Sequence, residues 1–310
     1  MAFIPGYLNL LETGELDRRI LATTKMMENC ALCPRKCRVN RQAGETGHCN
    51  TGKMAIVASY HAHMGEEAPL VGRHGSGTIF FSNCNLLCSF CQNFDISHHG
   101  QGRALIPNEL AGIMLELAGM GCHNINFVTP SHVIPQILTA VKIAAENGLT
   151  LPLVYNSSGY DRISALQLLA DVIDIYMPDF KFWEEKIAEK TCQAKNYRKI
   201  ACNALMEMHR QVGDLCTNRE NIAEKGLLIR HLVLPHNQAG TARVMKFIAE
   251  QISRNTYVNI MPQYRPLFQA GKTPEINRAV TTAEFNYALL EAEKAGIKRL
   301  DKPRRFFFLP

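Results

Sequence analysis

The chain is predicted to adopt an α/β fold, a partial (β/α)6 TIM-like barrel behind a Cys-rich lead-in. Three observations predict it. Beyond residue 53, short β-branched or apolar runs alternate with helical patterns, which is the signature of βα units on a parallel sheet. Six such repeats are too few for a closed eight-stranded barrel and suit an open one. Finally, a group of cysteines directly follows the first strand, at the carboxyl edge where such folds place functional groups.

The six strands are expected at 78–81, 124–128, 152–156, 172–177, 227–234 and 257–261. Helical stripes fill the gaps. Leu110, Ile113, Met114 and Leu117 recur at i, i+3, i+4 and i+7, so one apolar face turns toward a sheet. Ile134, Ile137, Leu138 and Val141 repeat the pattern, with Gly148 as a C-cap. Val244, Phe247, Ile248 and Ile252 make a third stripe. The last helix opens on Thr281-x-x-Glu284, a capping box, and stops at Gly296. Residues 1–70 form the Cys-rich extension, 71–300 the core and 301–310 a tail.

With 310 residues, 46% hydrophobic and 20% charged, the chain has room for one large α/β domain, alone or with a small module. The opening MAFIPGYLNLLETGELDRR lacks a basic start followed by an apolar core, and no apolar stretch approaches bilayer length. A cytoplasmic protein without a membrane partner is expected. Seven of the eleven cysteines fall in two tight clusters, which in a reducing compartment argues for metal ligation over disulfides. The formal net charge of +6 is dispersed, so it suits anionic small molecules and gives no reason to expect nucleic acid. The basic aromatic tail from Lys302 to Phe308 is expected to pack back or fray, with partner docking as the rival reading.

Cys84, Cys88 and Cys91 stand in FSNCNLLCSFCQN with the spacing C-x3-C-x2-C. Three thiolates on one short loop are an incomplete set for a cubane cluster, whose four irons cysteine usually ligates, so one iron stays open. Ordinary reduced thiols, or three of four zinc ligands, are the plainer readings. With Phe90 before the last cysteine, the pattern resembles the cluster loop of radical S-adenosylmethionine enzymes. That resemblance implies a [4Fe-4S] cluster on Cys84, Cys88 and Cys91 and S-adenosylmethionine on the open iron. It further implies reductive cleavage to a 5′-deoxyadenosyl radical, with flavodoxin or ferredoxin as electron donor.

The strand ends would then line the cofactor. Where the family keeps a Gly-Gly-Glu-type segment for the methionine amino group, this chain has Thr129 and Ser131 instead. Asn156 and Ser158 fall where the family keeps polar residues for the ribose, though both also serve as turn formers. Asp179 and Lys181 are candidates for the methionine carboxylate or ribose, or for pairing with each other. His236 and Gln263 border the adenine and substrate positions, although a lone histidine is more often structural. Over residues 30–298 the segments look most like relatives of pyruvate formate-lyase activating enzyme, which implies hydrogen abstraction from a protein substrate. A radical enzyme modifying RNA or a small molecule is one rival. A non-catalytic iron–sulfur electron carrier is another, but it would need a fourth cysteine, and none lies near Cys91 in sequence.

Cys30, Cys33, Cys37 and Cys49 follow C-x2-C-x3-C-x11-C, with Gly44 and Gly47 to let the chain turn back. The segment resembles the lead-in of the same relatives. Four thiolates suit zinc or a second iron–sulfur cluster, and a zinc ribbon for nucleic acid is the minor option. Cys122, Cys192, Cys202 and Cys216 are widely spaced and read as buried or incidental thiols. His61 and His63 share a face of an extended segment, as metal ligands or as solvated residues. Glycines 72, 75 and 77 precede a strand, so a phosphate loop fails on context. Trp183 is expected on the rim of the site or as a cap of the barrel.

Overall fold

The computed structural model describes residues 3–301; the Lys302–Phe308 segment of the tail lies outside them. Among the described residues are ten strands: β1 (Ala55–His63), β2 (Ser76–Phe81), β3 (Arg103–Leu105), β4 (Ile125–Val128), β5 (Leu153–Ser157), β6 (Ile175–Pro178), β7 (Cys216–Thr217), β8 (Ala223–Leu232), β9 (Tyr257–Met261) and β10 (Arg299–Leu300). They join in the order β10-β9-β8-β6-β5-β4-β2-β1-β3, with β7 on β8. The six expected strands are β2, β4, β5, β6, β8 and β9, and each pairs in parallel with the next. The expectations missed β1 as a sheet member. It lies within the 1–70 extension and runs antiparallel to β2, with His61 opposite Thr78 and His63 opposite Ser76.

Sequence periodicity explains the helices. Helix Pro107–Gly119 buries Leu110, Ile113, Met114 and Leu117, and helix Ile134–Glu146 buries Ile134, Ile137, Leu138 and Val141. Gly148 ends the second at φ 92°: its N–H reaches the Ala145 carbonyl and Leu149 N–H reaches Ala144, a Schellman closure. The Thr281–Glu284 capping box forms, and Gly296 closes helix Thr282–Ala295 in the left-handed region. The third stripe is not one α-helix, because it widens into a π-type turn at Ile248–Ile252 after Thr241–Phe247. Helices Gly6–Glu12, Glu15–Lys25, Glu185–Cys192 and Tyr197–Val212 were not expected.

Alternation along the strands separates two apolar layers. Ile79, Phe81, Phe127, Tyr155, Tyr176 and Ile229 belong to the large layer that also holds the helices' apolar faces. Val154, Ile175, Met177 and Leu228 form a smaller cluster with Leu70, which comes from the short helix Ala68–Val71. Strand pairing places Asn126 and Asn156 on the same face as Val154, and Arg230 and Asn259 opposite each other. This second face is therefore partly polar, unusual for parallel strands covered on both sides. Among the described residues no helix is long and apolar enough to cross a membrane.

His231 shows how the large layer accommodates a polar side chain. Its Nδ1 donates to the Phe180 carbonyl at 2.7 Å, and its Nε2 accepts from the Thr241 hydroxyl at 2.9 Å. Burial lowers its pKa from 6.5 to about 4. Below pH 6.5 the unfolded chain therefore takes up a proton that the native ring refuses until about pH 4, so stability falls across that window as pH drops. Denaturant titrations from pH 7 to 4 should show this fall, and it should be shallower in His231→Gln; an unchanged slope would count against His231 as a source.

Candidate metal centre

β2 ends at Phe81, and the following loop turns back through Asn83 and Leu87, both at positive φ, 68° and 54°. A leucine there is strained, and the surroundings must hold it. They do so by hydrogen bonds. Asn83 Nδ2 donates to Thr51 Oγ1 at 3.1 Å, Asn85 Nδ2 to the Tyr160 carbonyl at 2.9 Å, and Ser89 N–H to the Thr191 carbonyl at 2.7 Å. The fold thereby turns Cys84, Cys88 and Cys91 onto one cavity of about 170 Å³. Thr129, Asn156, Ser158, Asp179, Lys181 and Arg230 share its wall.

The thiols are held neutral while nothing cationic is bound. Burial pushes Cys84 up to about 12 and also raises Cys91, which accepts a hydrogen bond from Ser97 Oγ at 3.1 Å. Cys88 is raised by a hydrogen bond with Cys192 and then by burial. A fourth cysteine thus stands beside the triplet, delivered by helix Glu185–Cys192 from far along the chain. Cys192 is buried, in line with one of the two expected readings, and its contact with Cys88 is an addition for which sequence spacing carried no signal.

Asp179 organises the opposite wall. Its carboxylate accepts from Lys181 Nζ at 2.5 Å and from Arg230 Nε at 2.8 Å, while Arg230 also donates to Asn156 Oδ1 at 2.6 Å. Burial alone would raise Asp179, yet Arg230 and Lys181 hold it below the usual carboxylate range. Two cations stand against one anion in the lining of this cavity, with Glu66 approaching Arg230 to 3.7 Å from the neighbouring cavity. Tyr197 adds order, since its hydroxyl accepts from the Lys181 N–H at 2.9 Å and donates to the Ser158 carbonyl at 3.0 Å.

The candidates from sequence separate here. Thr129, Asn156, Ser158 and Asp179 meet at the cavity with the three cysteines. Thr129 sits at φ 62°, a conformation that glycine adopts freely, and its N–H donates to the Asn156 carbonyl at 2.9 Å. Ser158 Oγ, on the cavity wall, is buried without a partner among the described residues, so a polar ligand would find a group to satisfy. Ser131 is a correction: it is buried and faces Asp161 and Tyr155, because the strand end turns it into the wall. His236 is another, since its N–H is tied to Glu284 at 2.7 Å, away from the cavity. Gln263 lines a neighbouring cavity, and its carbonyl accepts from Gln92 at 2.8 Å. Trp183 packs on Phe180 and Phe247 beneath Arg198, off the cavity wall. Arg230 escaped notice because an arginine inside a strand gives no motif.

The four lead-in cysteines also gather. Cys33 feels Cys49, Cys30 and Cys37, and burial pushes its thiol up to about 12. Lys36 and Arg38 take positive φ between the ligand positions, and Gly44 turns the chain at φ 91°. Gly47 must lack a side chain, since a Cβ there would lie 2.6 Å from that of Cys37. Among the described residues no three His, Cys, Asp or Glu side chains converge on one point as a single ion requires. Zinc would need these thiols to close to separations of about 3.8 Å, the tetrahedral spacing for a 2.3 Å zinc–sulfur bond. Arg35 joins the two cysteine groups: it donates to the carbonyls of Asn85 at 2.9 Å, Leu86 at 3.2 Å and Cys192 at 2.7 Å, and also to that of Gln193. Tyr160 lies beneath its guanidinium, 5.3 Å from ring centroid to carbon.

Buried thiols on one cavity, a wall bearing Lys181 and Arg230 and an unsatisfied polar group fit a metal–sulfur centre with a bound polar cofactor. Comparison with known proteins agrees. Residues 78–219 match the Radical SAM superfamily. The chain is 33% identical over 298 residues to the uncharacterized protein MJ0674 of Methanocaldococcus jannaschii, covering 94% of this chain and 82% of that protein. The solved structure of HydG, a maturase of the [FeFe]-hydrogenase, aligns over 73% of this chain at 14% identity with a TM-score of 0.51, which is a likeness of fold; the chain spans 52% of its length. Methylornithine synthase (PylB) aligns over 72% of this chain and 70% of its own at 13% identity, with a TM-score of 0.46.

Replacing Arg35 by lysine keeps the charge but loses the planar fork. Urea unfolding should show a loss of about 1–3 kcal/mol, as expected for buried carbonyls losing a charged donor. An unchanged midpoint would show that the fork does not tie the two loops.

Proposed function

The chain belongs to the radical SAM superfamily, and with it come a [4Fe-4S] cluster and S-adenosylmethionine as cofactors; on that premise we propose an enzyme that cleaves S-adenosylmethionine reductively to a 5′-deoxyadenosyl radical and directs it at a protein substrate. The observation carrying this reading is the meeting of Cys84, Cys88 and Cys91 with the Asp179–Lys181–Arg230 wall on one cavity. When bound, the cluster supplies a low-potential electron and an iron free of cysteine.

The chain's own residues bind, orient and exclude water. Cys84, Cys88 and Cys91 hold the metal centre. Lys181, beside the Arg230–Asp179 pair on the cavity wall, receives the methionine carboxylate. The half-buried backbone at Thr129, on the cavity wall, takes the place of a glycine-rich segment for the amino group. Asn156 and Ser158 meet the ribose, and Gln263 borders the neighbouring cavity. Ser131 and His236 drop out of the set because they stand outside it. The strained Leu87 turn keeps all three thiols on one side of the loop, so orientation is prepared before the cofactor arrives. A flavodoxin or ferredoxin is the proposed electron donor. The protein substrate is supported by the resemblance of the cysteine segments to relatives of pyruvate formate-lyase activating enzyme.

Serine at Cys84, Cys88 or Cys91 should abolish both the broad visible absorbance of anaerobically reconstituted protein and 5′-deoxyadenosine release, whereas Cys192→Ser should retain both. Turnover that survives loss of one of the three would sink the assignment. Incubation with a cell extract should leave a glycyl radical signal on protein; modification confined to RNA would replace the protein substrate. We also infer a metal centre on Cys30, Cys33, Cys37 and Cys49. Metal analysis should find, beyond about four irons, either about one zinc or about four more irons, and neither would remove that centre.

A further inference from the structure

A second cavity, of about 420 Å³, adjoins the thiol-lined one and shares Arg230 with it. The stretch that follows β1 lines this cavity with Glu66 and Glu67. The Glu66 side chain is 8% exposed and Glu67 is 6% exposed. Among the described residues, the two buried carboxyl groups of Glu66 and Glu67 line the space beside the Arg230 guanidinium.

That guanidinium is already engaged. Arg230 donates to Asp179 at 2.8 Å and to Asn156 at 2.6 Å, and comes only within 3.7 Å of Glu66. Glu67 Oε1 accepts from the neutral amide of Asn259 at 2.8 Å. Its other oxygen, Oε2, is buried and finds no N–H donor among the described residues, leaving Glu67 only the Glu66 carboxyl as a further hydrogen-bonding neighbour. A buried carboxylate with one neutral donor is costly, and each such orphan needs an explanation. Burial, followed by the nearness of Glu67, also raises Glu66 against the pull of Arg230. Across the cavity Met261, Pro262, Phe285 and Leu289 offer an apolar wall.

We propose that this cavity is a substrate subsite for a cationic group, an ammonium or guanidinium, carried on an apolar stem: Glu67 and Glu66 pair with the cation, and Phe285 and Leu289 pack the stem. The inference rests on the radical reading for its purpose, since the subsite would set substrate beside the radical source. Arg230 divides the labour between the two cavities, its neighbourhood being positive toward Asp179 and Lys181 and acidic toward Glu67.

Isothermal titration calorimetry of the reconstituted protein at neutral pH tests it, with n-hexylamine, n-hexanol and N-acetyl-lysine methylamide as probes. The amine should bind at least tenfold more tightly than the alcohol. Glu67→Gln, nearly isosteric, should erase that preference, while Phe285→Ala should weaken both probes and keep their ratio. Binding of the lysine derivative as well as hexylamine assigns the cation to a peptide side chain, and hexylamine alone to a free amine. Equal binding of amine and alcohol, a preference surviving Glu67→Gln, or no amine binding at all would overturn the subsite, leaving the glutamates as mere counterions of Arg230. Assay of 5′-deoxyadenosine in the same preparation separates the two ideas. Cleavage without amine preference removes only the subsite, and amine preference without cleavage removes only the radical reading.

Discussion

Asp179 is the group on which the centre depends. Its buried carboxylate gathers Lys181 and Arg230, so the ends of β6 and β8 are tied by charge as well as by backbone pairing. Two cations in low dielectric are tolerable because this anion and Asn156 compensate them, with Glu66 3.7 Å from Arg230 on its other side. Taking Asp179 away would leave Lys181 without its partner beside the thiols, which makes this ion cluster a positional device rather than a source of stability. From it follow the placing of Lys181 on the wall that faces the cysteines and the orientation of Arg230 between two cavities.

The cysteine loop obeys a second constraint, that of a strained backbone held by distant carbonyls and amides. Leu87 and Thr129 both occupy the left-handed region without being glycine. Such residues persist where the surroundings over-determine them. Here the restraint comes from Thr51, Tyr160 and Thr191, residues of three separate segments. Arg35 extends it to the lead-in cysteines, so the amino-terminal segment is part of the scaffold beneath the loop and not an appended module. Its strand β1 likewise completes the sheet beside β2.

Local signals were legible where a single element decides them. The six parallel strands, the apolar stripes of the helices at Leu110 and Ile134, the Thr281 cap and the Gly148 and Gly296 stops all depend on neighbours within one or two turns. The third stripe misled, because apolar spacing at Phe247 and Ile248 cannot distinguish a helix from one that widens into a π-type turn. Ser131 and His236 misled for a related reason: a polar residue after a strand says nothing of which way the turn will point it. Ser131 turns into the wall beside Asp161, and His236 is drawn to Glu284.

The spacing of Cys84, Cys88 and Cys91 was enough by itself to predict three thiols meeting on one cavity, since residues on one short loop meet through local geometry alone. The pattern of βα units was enough to place that loop at the carboxyl edge of a partial barrel. Tertiary structure alone decided what faces it. Cys192 reaches Cys88 from a separate helix, Arg230 reaches Asp179 across parallel strands, and Glu67 meets Asn259 from the opposite end of the chain. These contacts join residues tens to hundreds of positions apart. No periodicity or spacing encodes them, because the pairing of distant strands and the burial of the sheet's partly polar face bring them together.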